Sequence, residues 1–482
     1  MLYLAVIHTS TKEMFIRICL PLAAASLLYS NFIRAQQFNG FSPAGQPTVQ
    51  QMPYNPARVC GADDGMEINL FSAGVLLHTN AYSFYKDGVL QKLSGNGTIT
   101  EGEDYTKTIS DNTKYLRGNV DVLGPAVSCR VRPNIFGGIY LRTRQLVNGG
   151  NLPATALSFI GDRSQAVTGQ PVSLSKTGFT MHAFSEFGFT VGTVLKDDGY
   201  HRWHAGATVK YLIGTYAGSV YTGNTEMMLK TRDSIAYLKG DLSAKFSRNS
   251  DKATDHEVNN DMAAWFDPSG HRSLGLDLGV QYEYHPDYDP NHETPYLYRV
   301  SASITDIGSI KYDADTGSGM YDLHLKNRAD WQYSRRDYEP NSLYLLRLAE
   351  DTSMMRRKDS ITSFRVGLPA AFRLNADVNL GNGFYWATDI LLNLKGSKNG
   401  IYKPGYTSAL TFTPRYERKW LMIALPFTLY NTRQVTAGVA LRVGPLFAGS
   451  SSLISCAVSK HINTLDGYAG ISFKFRRKQQ SY

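Results

Sequence analysis

The stretch Leu-Gly-Leu-Asp-Leu-Gly-Val-Gln-Tyr-Glu-Tyr at residues 274–284 decides the fold. Its even-numbered positions hold leucine, valine and tyrosine, whereas its odd-numbered positions hold glycine, aspartate, glutamine and glutamate. Successive side chains of a β-strand point to opposite faces, so this alternation predicts a strand with one apolar and one polar face. Soluble strands average roughly five to six residues and tilted membrane strands need about nine to eleven, so the length favours a membrane strand.

The same alternation recurs along most of the chain. In residues 372–380, for example, Phe, Leu, Ala, Val and Leu alternate with Arg, Asn, Asp and Asn. Further candidate strands lie at 66–78, 117–131, 135–144, 179–195, 203–213, 238–246, 296–305, 319–328, 383–395, 406–418, 420–430, 435–443, 445–460 and 467–475. The pattern predicts about fourteen to sixteen strands, and no apolar run reaches the roughly 18 residues of a helical span.

Alternation alone does not separate a soluble β-sandwich from a membrane barrel, because in the sandwich the apolar face simply covers a packed core. In an outer-membrane barrel that face meets lipid and the polar face lines a lumen. The barrel is favoured by strand length, by an amphipathic last strand that ends in Phe473 and Phe475, and by aromatic residues near strand ends. We therefore predict an all-β protein, a transmembrane antiparallel β-barrel of the outer membrane. The basic tail at 476–482 departs from barrels that end on an aromatic residue.

Composition agrees with a large β-protein. The chain has 482 residues, of which 43% are hydrophobic, 12% aromatic and 19% charged, with 43 Gly, 30 Tyr and four Cys. These values exclude disorder and make a disulfide scaffold unlikely on compositional grounds. The formal net charge of +9 is thinly spread, and no basic cluster interleaves with aromatic residues, so no nucleic-acid partner is expected.

Residues 1–35 have the order of a secretory signal peptide. Arg17 precedes the apolar stretch Ile18 to Leu28, and Ile33-Arg34-Ala35 ends the segment before polar glutamines. Translation from either Met1 or Met14 is compatible with this order. Cys60, Cys129 and Cys456 remain after cleavage, so at most one disulfide is expected.

Long polar segments are predicted to connect the strands at one end of the barrel. They are residues 86–115, 222–235, 248–272, 285–295, 306–318 and 328–362, the last with a short amphipathic helix. Short turns at the other end suit a barrel whose chain ends both lie in the periplasm. The expected organisation is a signal peptide (1–35), an N-terminal hatch or plug (36–65), the barrel (66–475) and a basic periplasmic tail (476–482).

Charged residues on the polar faces are expected to line or fill the lumen. An Arg or Lys on the lipid face costs roughly 2–4 kcal/mol at mid-membrane, so many such residues cannot point outward. Because both signs occur on one wall, structural ion pairs are favoured over a selectivity filter. The lumen-facing candidates are Arg202, Lys210, Asp277, Glu283, Arg373, Asp377, Asp389 and Arg442.

A strand kink is predicted at Gly124 and Pro125. Val120 and Val122 occupy even positions of the apolar face, whereas Val127 and Cys129 occupy odd ones. Proline within a strand requires a bulge or an unpaired amide, so the change of phase has a physical cause.

Motifs of soluble enzymes are absent from the sequence. There is no Gly-Lys dipeptide for a phosphate-binding loop, no Gly-x-Ser-x-Gly and no His-Glu-x-x-His. The acidic and histidine-rich stretch 285–293 lacks the glycine and glutamate that a calcium loop of this spacing requires. We expect no enzymatic activity, no cofactor and no metal site.

The segment Asn55-Pro56-Ala57 resembles an element of the luminal hatch in the long-chain fatty-acid transporter superfamily of outer-membrane proteins, the FadL-like barrels. Gly367-Leu368-Pro369 and the stretch at 444–450 are similar to uncharacterised FadL-related outer-membrane proteins of Bacteroidota, a group classed as a domain of unknown function. The resemblance covers nearly the whole chain after residue 35. It implies a fourteen-stranded, porin-like barrel with an N-terminal hatch, but it implies no ligand.

Two functions follow as hypotheses. The first is passive transport of a small or hydrophobic solute across the outer membrane. The alternative is a structural barrel subunit of an envelope complex of the type IX secretion or gliding type, to which the chain is more distantly similar. The expected partners are outer-membrane lipid together with a small hydrophobic ligand in the first case and envelope proteins in the second.

Overall fold

The structure is a computed structural model. It describes residues 48–61, 65–85, 102, 104–108, 113–157, 167–231, 234–248, 271–287, 296–329, 355–395, 404–431 and 433–476. The predicted signal peptide, residues 36–47 and 62–64 of the predicted hatch, and most of the basic tail lie outside these residues. So does 330–354, the larger part of the segment predicted to hold an amphipathic helix. Among the described residues, no helix is long and apolar enough to cross a membrane.

The described chain is nearly all strand. Its helical elements are two 3-10 turns, Val49–Gln51 and Pro56–Gly61, and two short α-helices, Ala154–Leu157 and Leu453–Val458. Its strands are β1 (Gly65–Thr79), β2 (Tyr82–Tyr85), β3 (Tyr105–Lys107), β4 (Lys114–Arg132), β5 (Ile135–Leu152), β6 (Pro171–Ser173), β7 (Gly178–Asp197), β8 (His201–Thr222), β9 (Glu226–Thr231), β10 (Ser234–Phe246), β11 (His271–Tyr284), β12 (Tyr298–Asp313), β13 (Gly319–Ala329), β14 (Met355–Ser360), β15 (Ser363–Gly367), β16 (Ala371–Gly381), β17 (Phe384–Asn393), β18 (Ala409–Glu417), β19 (Leu421–Ala424), β20 (Phe427–Tyr430), β21 (Gln434–Ala437), β22 (Val439–Val443), β23 (Leu446–Ser450), β24 (His461–Ile462) and β25 (Thr464–Arg476).

Fourteen antiparallel strands close into one barrel, which confirms the predicted fold class. The order around the wall is β1, β4, β5, β7, β8, β11, β12, β16, β17, β18, β19 with β20, β21 with β22, β23 and β25. The first and last strands join directly, since Gly65 lies opposite Arg476 and Ile68 opposite Phe473. Closure leaves no free sheet edge, which is the condition for a sheet to span lipid.

The two ends of the barrel differ. Short connections such as 133–134, 198–200 and 382–383 lie at the end where β1 begins and β25 ends, which we call the turn end. The connections at the opposite end, the loop end, are mostly long. The connection that contains 285–295 was predicted to lie with them, but it leaves β11 at the turn end, where Tyr284 lies opposite His201 and Tyr298. This asymmetry is that of outer-membrane barrels, whose short turns and chain ends face the periplasm.

The outer face of the wall is apolar. Leu274, Val280 and Val209 are 66%, 46% and 51% exposed, although the polar residues between them are buried. Aromatic side chains gather at the turn end, where the Trp203 and Tyr282 rings lie 4.7 Å apart. An apolar band bordered by aromatic residues is the surface that a barrel presents to lipid.

Two of the predicted wall strands lie elsewhere. The segments 238–246 and 319–328 do form strands, β10 and β13, but they pair with each other and with β9 and β14 in a sheet at the loop end. Lys239 is accordingly 63% exposed and does not line the lumen. Alternation was misleading here because a two-faced strand outside the membrane carries the same pattern.

The segment 306–318 was predicted to be a loop, and that prediction was wrong. β12 continues to Asp313, but it changes direction after Thr305, where Asp306 has φ 62° and Gly308 φ 154°. Beyond this bend, residues 309–313 pair with 363–367 of β15. We call these two segments the ribbon.

The ribbon lies inside the barrel. Tyr312, which is fully buried, covers Gly214 of β8 and its ring lies 5.7 Å from that of His182 on β7. The apolar cluster that it completes consists of Leu146, Phe184, Leu212, Ala217, Ile310, Tyr312, Ala314, Phe364, Val366 and Leu368. The ribbon therefore fills the lumen near the loop end.

Candidate functional site: the occupied lumen

Residues 48–61, which we call the luminal segment, lie inside the barrel toward its turn end. The backbone turns twice, and the Ala57 amide donates to the Asn55 side-chain oxygen at 3.0 Å between the two turns. Pro56 begins the second turn, where its fixed φ suits the first residue of a helical turn. Asn55 and Ala57 are both buried. The resemblance to a hatch had singled out Asn55, Pro56 and Ala57, and these residues form the middle of the segment.

Three glycines of the wall give the segment room. Gly192, Gly206 and Gly279 lie opposite one another on β7, β8 and β11, so they form one row across three strands. A Cβ atom at Gly206 would overlap the Pro56 carbonyl, and one at Gly279 would overlap the side-chain amide of Asn55. The glycine row is therefore required for the close approach of the segment to the wall.

The outer side of the same row is concave. A groove of about 600 Å³ lies on the lipid-facing surface. Small outward residues, Ala205, Ala207 and Ala302, form part of its lining. At the glycine row the wall between the luminal segment and the lipid is thus a single backbone thick.

Polar contacts fix the beginning of the segment. The Glu67 carboxylate on β1 accepts from the backbone amides of Thr48 and Val49 at 2.5 and 2.9 Å. Near it, the Gln50 amide donates to the Asn69 side chain at 3.3 Å. Farther along, the Arg58 guanidinium donates to the Gln281 side-chain oxygen at 3.0 Å.

Tyr54 spans the lumen at the centre of the segment. Its ring lies between the guanidinium groups of Arg142 on β5 and Arg373 on β16, each 4.9 Å from the ring centroid. Its hydroxyl donates to Asp121 at 3.1 Å, and its carbonyl accepts from Ser303 at 2.7 Å. Burial raises the pKa of the Tyr54 phenol well above its ordinary value, and Asp121 adds to the rise. The phenol therefore stays protonated and donates.

A buried ionic network lies next to the segment, toward the loop end. Arg144 forms a fork with Asp306, with contacts of 2.6 and 2.7 Å, and also contacts Glu186 at 2.6 Å. Lys210 contacts Asp277 and Asp306, both at 2.7 Å. Buried charges are tolerated when they are paired in this way, and breaking one such pair is strongly destabilising.

A second ionic group lies at the turn end. Asp377 on β16 accepts from Arg415 at 2.8 Å and from Arg299 at 3.0 Å. The Tyr296 hydroxyl donates to the same carboxylate at 2.5 Å. These contacts link β12, β16 and β18 through the lumen.

The structure places seven of the eight lumen-facing candidates inside the barrel. Lys210 and Asp277 belong to the central network, and Asp377 to the second group. Arg202 differs, because it is partly exposed and pairs with Asp197 at the rim, 3.0 Å away. The remaining contacts are those of Arg373 with Asp389 at 3.7 Å, Arg442 with Glu417 at 3.5 Å and Glu283 with His285 at 3.4 Å.

The predicted kink coincides with an interruption of register in β4. In the pairing with β5, Leu123 lies opposite Arg142 and Ala126 opposite Tyr140, so β4 carries one extra residue at Gly124 and Pro125. The Asn69 amide donates to the carbonyls of Leu123 and Gly124 at 3.3 and 2.9 Å. The bulge is thus held closed by a side chain of the neighbouring strand.

Sequence reasoning missed several central residues. Arg142, Arg144 and Glu186 occupy polar positions of strands that had been predicted, so their alternation with apolar neighbours was an available signal. Asp306 had been assigned to a loop, and no sequence signal places it at the hub. Within the described residues, no group of three His, Cys, Asp or Glu side chains is arranged to hold a metal ion. Residues 288–293 of the acidic stretch lie outside the described residues.

A closed barrel with an apolar outer band and a polar, ion-paired interior defines an outer-membrane β-barrel protein. The chain therefore resides in the outer membrane. The chain belongs to a family of unknown function, DUF5723, which matches residues 63–451. No curated protein matches the chain. The family match confirms the expectation of a group without an assigned function.

Solved structures to which the chain is similar are also barrels. The toluene transporter TodX of Pseudomonas putida shares 10% identity, with 92% of this chain and 99% of that chain covered and a TM-score of 0.30. A Pseudomonas aeruginosa FadL homologue shares 10% identity, covering 91% and 96% with a TM-score of 0.27. The translocator domain of autotransporter NalP from Neisseria meningitidis shares 5%, covering 85% and 88% with a TM-score of 0.31. None of these similarities transfers a function to this chain.

Proposed function

We propose that the protein is a passive outer-membrane channel for a small or hydrophobic solute, and that the luminal segment is its plug. The observation that carries this proposal is the placement of residues 48–61 inside the barrel against a row of three wall glycines. The three glycines leave space in the wall for residues 48–61, as we expect for a segment that docks in the lumen and can be released from it. We also propose that the chain is related to the FadL-like transporters and that it comes from a member of the Bacteroidota.

The chemistry around the segment supports movement. Much of its attachment is by hydrogen bonds to Glu67, Asn69, Asp121 and Gln281, groups that water can solvate once the segment departs. Its apolar contacts form two clusters: Val49, Met52, Val59 and Cys60 pack near Tyr140, and Tyr54 packs with wall residues that include Phe447 and Tyr468. Displacing it exposes these polar groups to water together with the wall residues of the two apolar clusters.

A disulfide lock tests the proposal. A Cβ atom added at Gly192 lies 2.8 Å from the Cys60 sulfur, so G192C should form a disulfide with Cys60 after slight displacement of Val59. In proteoliposomes, oxidised G192C should admit a small sugar in swelling assays, and a small hydrophobic dye, more slowly than the same protein after reduction. Adding C60S to G192C is the matched control and should show no dependence on reductant.

Equal solute entry in the oxidised and reduced forms would refute the channel. The alternative, a structural subunit of an envelope complex, draws on the two ionic groups that fill the lumen. It would be supported if deletion of 48–61 left permeability unchanged and abolished association with other envelope proteins.

A further inference from the structure

Two pieces of chain occupy the lumen, and a continuous series of polar contacts joins them. The Tyr54 hydroxyl of the luminal segment donates to Asp121, and Arg142 Nε donates to the same carboxylate at 2.8 Å. Arg142 also contacts Glu186 at 3.2 Å. Glu186 also accepts from Arg144, and the Arg144 guanidinium in turn forms an ion pair with Asp306.

Asp306 is the residue at which β12 turns into the lumen. Its backbone is in the left-handed region at φ 62°, which is uncommon for a residue other than glycine. The conformation is held at both ends of the residue: the amide donates to Asp277 at 2.6 Å, and the carboxylate accepts from Arg144 and Lys210. The direction of the ribbon thus depends on the charges that surround Asp306.

The series also reaches the loop end by a second contact. Tyr406 lies in the connection that precedes β18. Its hydroxyl accepts from Arg144 at 2.6 Å and donates to Asp306 at 3.1 Å. The same guanidinium therefore holds the bend of the ribbon and an adjoining connection. Because Glu186 contacts this guanidinium as well, a change at Glu186 bears on both places.

We propose that the luminal segment and the ribbon are two coupled closures of one lumen, linked through Asp121, Arg142, Glu186, Arg144 and Asp306. This inference rests on the proposed function, because it describes how the plug is regulated. Release of Tyr54 leaves Asp121 and Arg142 to rearrange, which weakens the hold of Arg144 on the bend. Coupling between two sites is reciprocal, so loosening of the ribbon must equally loosen the luminal segment.

The test uses two thiol reporters in the full-length barrel with C129S and C456S. Native Cys60 reports on the luminal segment, and V366C, at a buried position that faces Ile310 in the ribbon pairing, reports on the ribbon in a C60S background. Labelling with a membrane-impermeant maleimide is measured on protein whose folding is verified by heat-modifiable migration. Y54F should speed labelling of V366C by about fivefold, the lower end of known couplings, and D306N should speed labelling of Cys60 similarly.

Tyr140 supplies a matched control. It is buried beside Met52 of the luminal segment, and its hydroxyl makes no hydrogen bond to any described residue. Y140F removes the same atom as Y54F without removing a hydrogen bond of the series, so it should leave V366C labelling unchanged. Equal effects of Y54F and Y140F would overturn the coupling.

Interrupting the series in the middle decides the route. With E186Q present, the additional effect of Y54F on V366C should disappear, and an undiminished effect would overturn the proposed linkage. R144K, which keeps the charge and breaks the fork, provides a second interruption if E186Q fails to fold. Labelling is independent of transport: coupling without any effect of the disulfide lock on solute entry would refute the channel alone, whereas the reverse result would refute the coupling alone.

Discussion

The luminal segment and the ribbon occupy the same lumen from opposite ends, yet different forces hold them. The luminal segment meets the wall through glycines and through hydrogen bonds to polar groups such as Glu67 and Asp121. The ribbon instead buries Ile310, Tyr312 and Val366 against apolar wall residues. Loss of the first exposes polar groups that water can solvate as well as the apolar residues of two clusters. Loss of the second exposes mainly apolar surface, so we expect the luminal segment to be displaced more easily than the ribbon.

The largest expected effect is that of Tyr312→Ala in the ribbon. The substitution removes a fully buried ring from the Gly214 and His182 contacts, and such truncations cost about 3–5 kcal/mol. The midpoint of heat-modifiable migration in detergent should fall markedly. Val209→Ala, which shortens a half-exposed side chain on the lipid face, is the control and should have little effect. Equal losses in the two variants would contradict an apolar anchoring of the ribbon.

Gly206→Ala should displace the luminal segment and leave the barrel folded. The added methyl group overlaps the Pro56 carbonyl, and overpacking of this kind costs about 1–3 kcal/mol. On the proposed role of the segment as a plug, we expect Cys60 to label roughly tenfold faster, as about 1.4 kcal/mol implies. Gly467→Ala, where nothing lies within 4 Å of the new atom, should match the unsubstituted protein. Unchanged Cys60 labelling in Gly206→Ala would show that the glycine row does not position the segment.

Glu67→Gln tests the polar attachment at the start of the segment. The amide still accepts a hydrogen bond, but the charge that favours the Thr48 and Val49 amides is lost, a difference of about 1 kcal/mol. Labelling of Cys60 should rise by roughly fivefold, and the midpoint of heat-modifiable migration should hardly move. A large fall in that midpoint would mean that Glu67 supports the wall more than it holds the segment.

Asp241→Asn sets the lower limit of the comparison. Its ion pair with Lys358 is 2.9 Å long, but both side chains are more than 40% exposed in the sheet at the loop end. Exposed pairs contribute about 0–1 kcal/mol, so neither Cys60 labelling nor the migration midpoint should change measurably. A clear change in either measurement would show that the external sheet is coupled to the lumen.

Much of the wall could be predicted from the sequence, since lipid outside and charge inside impose a period of two on every spanning strand. Residues 274–284 and 372–380 illustrate this, because their apolar positions face out and Asp277 and Asp377 face in. The bulge at Gly124 and Pro125 was also visible as a change of phase. The local sequence pattern predicts the wall because the polarity of each wall residue depends only on which face of the sheet it occupies.

The occupants of the lumen were harder to predict. Asn55, Pro56 and Ala57 were located through a family resemblance, but Tyr54, which spans the lumen, carries no local signal. Asp306 was predicted to be a loop residue because β12 leaves the wall there. The alternation of apolar and polar residues holds only for strand segments within the wall, so it ends at this point. Contacts such as that between Arg144 and Asp306 join residues 162 positions apart, a relation that no local pattern records.

The glycine row also determines when the luminal segment can dock. Its three members come from different strands, and Asn55 and Tyr54 reach partners 225 and 249 positions farther along the chain. The glycine row and these two partners come together only when β7, β8, β11 and β12 have paired, although residues 48–61 precede all of them. Contacts of such long range form slowly, because the intervening chain must first be ordered. The segment is therefore synthesised before its docking site, and it can dock fully only after these four strands have paired.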